Sequence, residues 1–300
     1  MAKVVVVGEG MLELSSDGPG WRLAYGGDTL NTAIHLARFG HEVAFATALG
    51  TDSFSDELRL AWQGEGIDIS LVLTDPDRLP GLYAIRTDAE GERSFTYWRS
   101  ESAARQMFAL PEARRFAAAA DRADLLLFSL ISVAILPHGS REMLHDLCRR
   151  TNAGGGRVAF DGNYRPRLWR NANEAIAERD AAIALSDIGL PTLEDELALS
   201  GPSTAEAVSA RWRGLGARET VVKLGAEGCM INGHIVPPAS RLSPIDTSGA
   251  GDAFNAGYLH ARLGGAHPAD AARCGHDLAA WTLMRRGAVP APDADAPYLR

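Results

Sequence analysis

Six short apolar runs, rich in β-branched residues, recur along the 300-residue chain at 4–7, 43–49, 125–129, 158–161, 188–190 and 221–224. Helical stretches separate them. Parallel strands need a crossover of a dozen or more residues, usually a helix, and the crossovers place helices on both faces of the sheet. Strands buried on both faces read as continuous apolar runs rather than alternations, as these do. The predicted fold class is therefore α/β, a mostly parallel central sheet with helices on both faces. Ligands in such folds collect outside the carboxyl ends of the strands, so the residues just after each run are the first candidates for a site.

Two stretches break the rhythm, 11–25 and 82–99, where a period near two replaces the helical one. In the second, 82–87 and 93–99 flank the turn-rich Asp88-Ala89-Glu90-Gly91-Glu92, which predicts a hairpin with Tyr83 facing inward. Both stretches are expected to form a small β-sheet lid. No Pro/Ser linker, low-complexity tract or repeat divides the chain, so residues 1–300 read as one domain carrying a lid at 11–25 and 82–99. With 46% hydrophobic residues a chain of this length can bury a sizeable core. A net charge of −8 argues against a nucleic-acid partner. Cys148, Cys229 and Cys274 are odd in number and widely separated, which suits reduced, inert thiols and the cytosol. The N-terminus lacks the longer apolar run of a secretory signal, and no segment approaches membrane-spanning length; the expectation is a cytoplasmic protein with no membrane partner.

The run Asp246-Thr247-Ser248-Gly249-Ala250-Gly251-Asp252-Ala253-Phe254 puts two glycines and a carboxylate directly ahead of an apolar helix-forming segment. Gly249 and Gly251 let the backbone approach a ligand, so that free N–H groups at the helix start, around Ala250, can point at phosphate oxygens. Asp252 then stands where it could take the proton of an attacking hydroxyl. Phosphoryl transfer is mostly positioning and charge stabilisation, and this segment can supply both. Alone, the plainer reading of the segment is a capped helix after a turn.

A second segment, Tyr25-Gly26-Gly27-Asp28-Thr29-Leu30-Asn31, leads into Leu30, Ala33, Ile34 and Ala37 at helical spacing and stops at Gly40. Asp28 suits the N-cap, and Asn31 lies three residues on, where both can face one space. Together they offer acceptors and donors to the vicinal hydroxyls of a sugar. The plainer alternative is a capping Asp28 and a solvated Asn31. Other nucleotide motifs fail: Gly8-Glu9-Gly10-Met11-Leu12-Glu13 lacks the third glycine of the dinucleotide fingerprint, and there is no Gly-x-x-x-x-Gly-Lys-Ser/Thr loop. The eight histidines have no metal-ligand spacing, and His35 reads as a satisfied core or surface residue.

The two glycine segments resemble the N-terminal and C-terminal signatures of the ribokinase/PfkB carbohydrate kinase family. Gly8-Glu9-Gly10-Met11-Leu12-Glu13-Leu14, Leu79-Pro80-Gly81-Leu82-Tyr83, Tyr97-Trp98-Arg99 and Asp161-Gly162-Asn163-Tyr164-Arg165-Pro166-Arg167-Leu168-Trp169 are similar to the family's 2-keto-3-deoxygluconate kinase branch. The resemblance covers nearly the whole chain. It implies a ribokinase-like fold, a lid that closes over the sugar and often meets a second copy in a homo-oligomer, and ATP-dependent phosphorylation of the sugar acid to its 6-phosphate. By the same resemblance Gly26, Gly27, Asp28 and Asn31 meet the sugar, and Arg99 and Arg165 match the branch's acid-binding positions. A guanidinium fork suits a carboxylate and is little needed by a neutral sugar. Tyr83 and Tyr97 would add hydroxyl contacts, or form the lid's aromatic core.

On the nucleotide side, Lys223-Leu224-Gly225-Ala226-Glu227-Gly228 resembles the family's ATP-binding turn, with Lys223, Gly225 and Gly228 as contacts. Asn163 and Arg285-Arg286-Gly287-Ala288 are placed beside it. Relatives show Asn-x-x-Glu near Mg²⁺. This chain has Thr192-Leu193-Glu194-Asp195 instead, which leaves Asp195 as metal-organising candidate and Glu194 and Glu196 as substitutes or plain surface acids. Asp246 lies where relatives bind a monovalent cation, and it could equally form its turn. Two further readings stay open: a neutral-sugar kinase of the same family, fructokinase-like, and a noncatalytic sugar-binding module.

Overall fold

The computed structural model describes residues 1–17, 20–87 and 93–299. In chain order its strands are β1 Lys3–Val7, β2 Met11–Asp17, β3 Gly20–Gly26, β4 Glu42–Leu49, β5 Val72–Thr74, β6 Gly81–Thr87, β7 Arg93–Trp98, β8 Leu125–Ser129, β9 Arg157–Asp161, β10 Ile188–Gly189, β11 Glu219–Lys223, β12 Cys229–Ile231 and β13 His234–Val236. Its α-helices are α1 Asp28–Arg38, α2 Ser53–Gly64, α3 Arg114–Ala120, α4 Leu130–Ile135, α5 His138–Ala153, α6 Ala172–Ala184, α7 Leu193–Ser200, α8 Ala205–Leu215, α9 Ala250–Leu263 and α10 Pro268–Leu283.

Nine strands form one sheet in the order β13-β12-β11-β10-β9-β8-β1-β4-β5. From β11 to β5 neighbours run parallel, and β12 and β13 add an antiparallel edge. The alternating valines of β1 explain its apolar run: Val5 and Val7 enter one core layer, Val4 and Val6 the other. Each layer has a fully buried tryptophan. Trp212 of α8 stacks on Phe160 of β9, and Trp62 of α2 meets Phe45 of β4 edge-on. Truncating either to alanine should cost about 3–5 kcal/mol. All six predicted strand runs are present, with ends shifted by at most two residues.

The second sheet has the order β3-β2-β6-β7. The β2/β3 and β6/β7 pairs are antiparallel hairpins, and β2 pairs with β6 in parallel, joining the two predicted stretches. The turn predicted at Asp88-Ala89-Glu90-Gly91-Glu92 lies outside the described residues. Among the described residues no helix is long and apolar enough to cross a membrane. Cys148 and Cys229 are buried and Cys274 partly so, and burial pushes all three thiols up from their usual pKa.

Candidate active site

The loops after β1, β8, β9 and β11 and the starts of α1 and α9 converge at the carboxyl end of the parallel strands. The first turn of α9 begins at Gly249, whose φ of 69° is left-handed, the region that favours glycine. A Cβ there would also lie 2.6 Å from the carbonyl oxygen of Ala288. The backbone after it turns so that the first-turn amides, which have no intrahelical acceptor, face outward. Gly251 is exposed, and the nearest atom to a Cβ at that position would be Lys223 Nζ at 3.9 Å.

Asp252 sits half-buried in this turn. Asn31 Nδ2 of α1 donates to its Oδ2 at 2.8 Å, and the Thr32 hydroxyl donates to its carbonyl at 3.2 Å. Loss of solvent, reinforced by the negative charge of Asp28, pushes the Asp252 carboxyl up to about 8, against the opposing Asn31 bond and Lys223 charge. Asp28 is raised too, chiefly by burial, with hydrogen bonds from Ser129 and Thr29 acting the other way.

Asp28 opens α1 as its first helical residue, and Gly27 holds the cap position, contrary to the capping role expected for Asp28. Gly27 is in extended conformation, and a Cβ there would strike the carbonyl of Glu9. That frees the Asp28 carboxylate for the site, where its Oδ2 accepts from Asn163 Nδ2 at 3.1 Å. Asn163, expected beside the nucleotide, thus lies against the residue assigned to the sugar. The β9 carboxyl end simply faces α1.

Lys223 also departs from its expected place. Its side chain turns inward rather than into the exposed turn, donating to Asp161 Oδ1 at 2.9 Å and Asn255 Oδ1 at 3.1 Å, while Asn255 Nδ2 donates to Asp161 Oδ2 at 2.9 Å. The turn proper, Gly225–Glu227, is exposed, with Gly225 and Gly228 at φ 59° and 97°. Arg285 stacks on Trp281 and pairs with Asp293, and the Gly287 amide donates to Asp246 Oδ2 at 2.9 Å. The other Asp246 oxygen accepts from the Ser248 amide at 2.8 Å, so this carboxylate ties the α9 loop to the chain after α10.

At the lid, the Tyr83 hydroxyl donates to Glu13, and burial together with Glu13 pushes the phenol far above its usual pKa. Tyr97 stacks on Tyr83 and is 45% exposed. Arg99, just past β7, pairs with Glu9. Arg165 is 51% exposed and donates to Asp195 Oδ1 at 3.2 Å. Burial raises the pKa of Asp195, and Arg165 opposes the shift. Glu196 is no surface acid: it is 2% exposed, accepts from Arg179 and Trp212, and points away from Asp195 into the α6/α8 packing. Glu194 is exposed. Among the described residues no group of three His, Cys, Asp or Glu is arranged to hold a metal ion. His35 is fully buried against Tyr298.

Residues missed in the sequence are Glu9, Thr32, Asp161 and Asn255. A charged residue between two glycines directly after a buried strand marks Glu9, and Asp161 ends an apolar run. Nothing local marks Asn255.

An open helix N-terminus, a carboxylate at its first turn and a facing polar helix start under a β lid are features of a sugar phosphotransferase. The pattern of the pfkB family carbohydrate kinases matches residues 1–294, and the chain belongs to that family. It is 44% identical to the 2-dehydro-3-deoxygluconokinase of Escherichia coli over 298 residues, covering 96% of each chain, and 41% identical to that of Dickeya dadantii over 95% of this chain and 96% of the relative. The crystal structure of the Thermotoga maritima 2-dehydro-3-deoxygluconokinase shares the fold with a TM-score of 0.86 at 22% identity, over 96% of this chain and 95% of that one. Xylella fastidiosa fructokinase with bound ATP superposes with a TM-score of 0.81 at 24% identity, over 96% and 94%.

Proposed function

We propose that this carbohydrate kinase transfers the γ-phosphoryl group of ATP to the primary hydroxyl of 2-keto-3-deoxygluconate, giving the 6-phosphate and ADP. The observation that carries the chemistry is Asp252, held by Asn31 at the open start of α9. Its carboxylate takes the hydroxyl proton as the new oxygen–phosphorus bond forms and the bond to the β,γ-bridging oxygen breaks. The amides of Gly249, Ala250 and Gly251 receive the developing charge, with Lys223 Nζ beneath them. Gly26, Gly27, Asp28 and Asn31 meet the sugar. Asn163 joins them through Asp28, and the Gly225–Gly228 turn borders the nucleotide.

A carboxyl raised to about 8 is poised near neutral pH, where a general base works best. Mg²⁺ fits this site as a partner of the ATP phosphates, where it would offset their charge; Asp195, the half-buried oxygen donor beside Arg165, would hold its water shell. Asp246 supports its loop whether or not a monovalent cation binds there. The substrate follows from the relatives at 41–44% identity and from Arg99 and Arg165, with Tyr83 and Tyr97 above. The exposed Trp21, Leu23 and Trp98 of the lid support a homo-oligomer formed through it.

One observation favours a neutral ketose instead: in the free enzyme both arginines already face carboxylates, Glu9 and Asp195. An ADP-forming assay over hexoses, hexonates and 2-keto-3-deoxy acids decides between these readings. The highest kcat/KM for 2-keto-3-deoxygluconate is expected, and a preference for fructose would reverse the assignment. No ADP formation with any sugar would favour a binding module.

A further inference from the structure

Glu9 stands between Gly8 and Gly10 directly after β1 and is 2% exposed. A carboxylate so deep requires partners. It has two: the guanidinium of Arg99, whose Nη2 forms an ion pair with Oε2, and the hydroxyl of Ser102, which donates to Oε1. Arg99 leaves the lid at the end of β7 with its side chain 9% exposed. Its Nη2 faces Glu9 Oε2 as an ion pair in which that oxygen accepts no hydrogen bond, and its Nε–H, on the same edge of the guanidinium, is buried without a hydrogen-bond partner. The Arg99 charge is felt at Asp28, at the sugar end of the site. The lid arginine is therefore held from the core by a buried ion pair.

We propose that Glu9 is a positioning residue for the acceptor sugar: its ion pair holds the Arg99 guanidinium across the junction of β1 and β7, so that the guanidinium donors turned away from Glu9 meet an oxygen of the sugar acid. The proposal rests on the sugar-acid reading above. An arginine on a loose strand end would have to give up rotamer freedom on every binding event, whereas one already clamped does not. Glu9 also leaves Asp28 to the sugar. Without it, a buried guanidinium with no counter-charge would turn to the nearest carboxylate.

The test is steady-state kinetics on the unmodified protein, Glu9→Gln, Arg99→Met and the double variant, with ATP and 2-keto-3-deoxygluconate. Glu9→Gln should raise KM for the sugar acid about 10-fold and leave KM for ATP and kcat nearly unchanged. Adding Glu9→Gln to Arg99→Met should change nothing further. Additive effects in the double variant, or equal loss of affinity for both substrates, would overturn the positioning role. If Glu9→Gln does not fold, Ser102→Ala removes only the hydroxyl that supports Glu9; a rise of about threefold in sugar KM is expected, absent in the Arg99→Met background. An unchanged KM in Ser102→Ala would overturn the role. Should the unmodified protein accept only a neutral ketose, the substrate reading fails, and the same variants assayed with that ketose still decide the role of Glu9.

Discussion

Two helices begin in this site behind glycine pairs, and they begin differently. The start of α1 is closed: Gly27 packs on the Glu9 carbonyl, and the site is served by side chains, Asp28 and Asn31. The start of α9 is open: Gly249 turns through the left-handed region, Gly251 is exposed, and the backbone itself faces the site beside one carboxylate. The same residue type thus allows close packing at one helix and access at the other. A closed start with polar side chains suits hydroxyls, and an open start with free amides suits phosphate.

Removing the carboxylate of the open start should have the largest effect. Asp252→Asn is expected to lower kcat by about 10³-fold with ATP affinity retained, measured by single turnover and calorimetry. Next, the α1 and α9 starts should respond oppositely to a methyl group. Gly251→Ala should fold with an unchanged thermal midpoint and lose about 10²-fold in kcat, whereas Gly27→Ala should lower the midpoint through its clash with Glu9. Equal loss of stability in both would erase the distinction.

A smaller effect tests how the two helix starts communicate. Because the Asp252 carboxyl is raised to about 8 and must be ionised to accept a proton, kcat/KM should climb as pH rises toward that value. Asp28→Asn removes the neighbouring negative charge, so the midpoint should move to lower pH, whatever happens to sugar affinity. The same shift has a stability consequence. A carboxyl whose pKa is raised on folding contributes stability below its unfolded value near pH 4, and that contribution is lost as pH rises toward about 8. Asp252→Asn should therefore raise the thermal midpoint at pH 8 and not at pH 4, measured by thermal unfolding at the two pH values.

The open start of α9 was legible because it is contiguous: glycine, glycine, aspartate and an apolar helix follow one another within nine residues. The parallel sheet was legible because strands buried on both faces leave unbroken apolar runs. Contacts made across the fold were not. Asn163 meets Asp28 across 135 positions, and Asn255 joins Asp161 across 94, pairings set by strand order rather than by local pattern. Asp28 was misplaced as a cap because capping propensity favours Asp, while the close approach of Glu9 demanded glycine one residue earlier. Glu196 and Asp195 are neighbours in sequence, yet the step of about 100° between successive residues of α7 puts them on different faces, one on Arg179 and the other on Arg165.

The central claim is a distance. A crystal structure of the protein with a nonhydrolysable ATP analogue and 2-keto-3-deoxygluconate should place an Asp252 carboxylate oxygen about 2.6–3.2 Å from the primary hydroxyl, with the γ-phosphate over the first-turn amides of α9. A hydroxyl beyond reach of Asp252, with another residue touching it, would contradict the account.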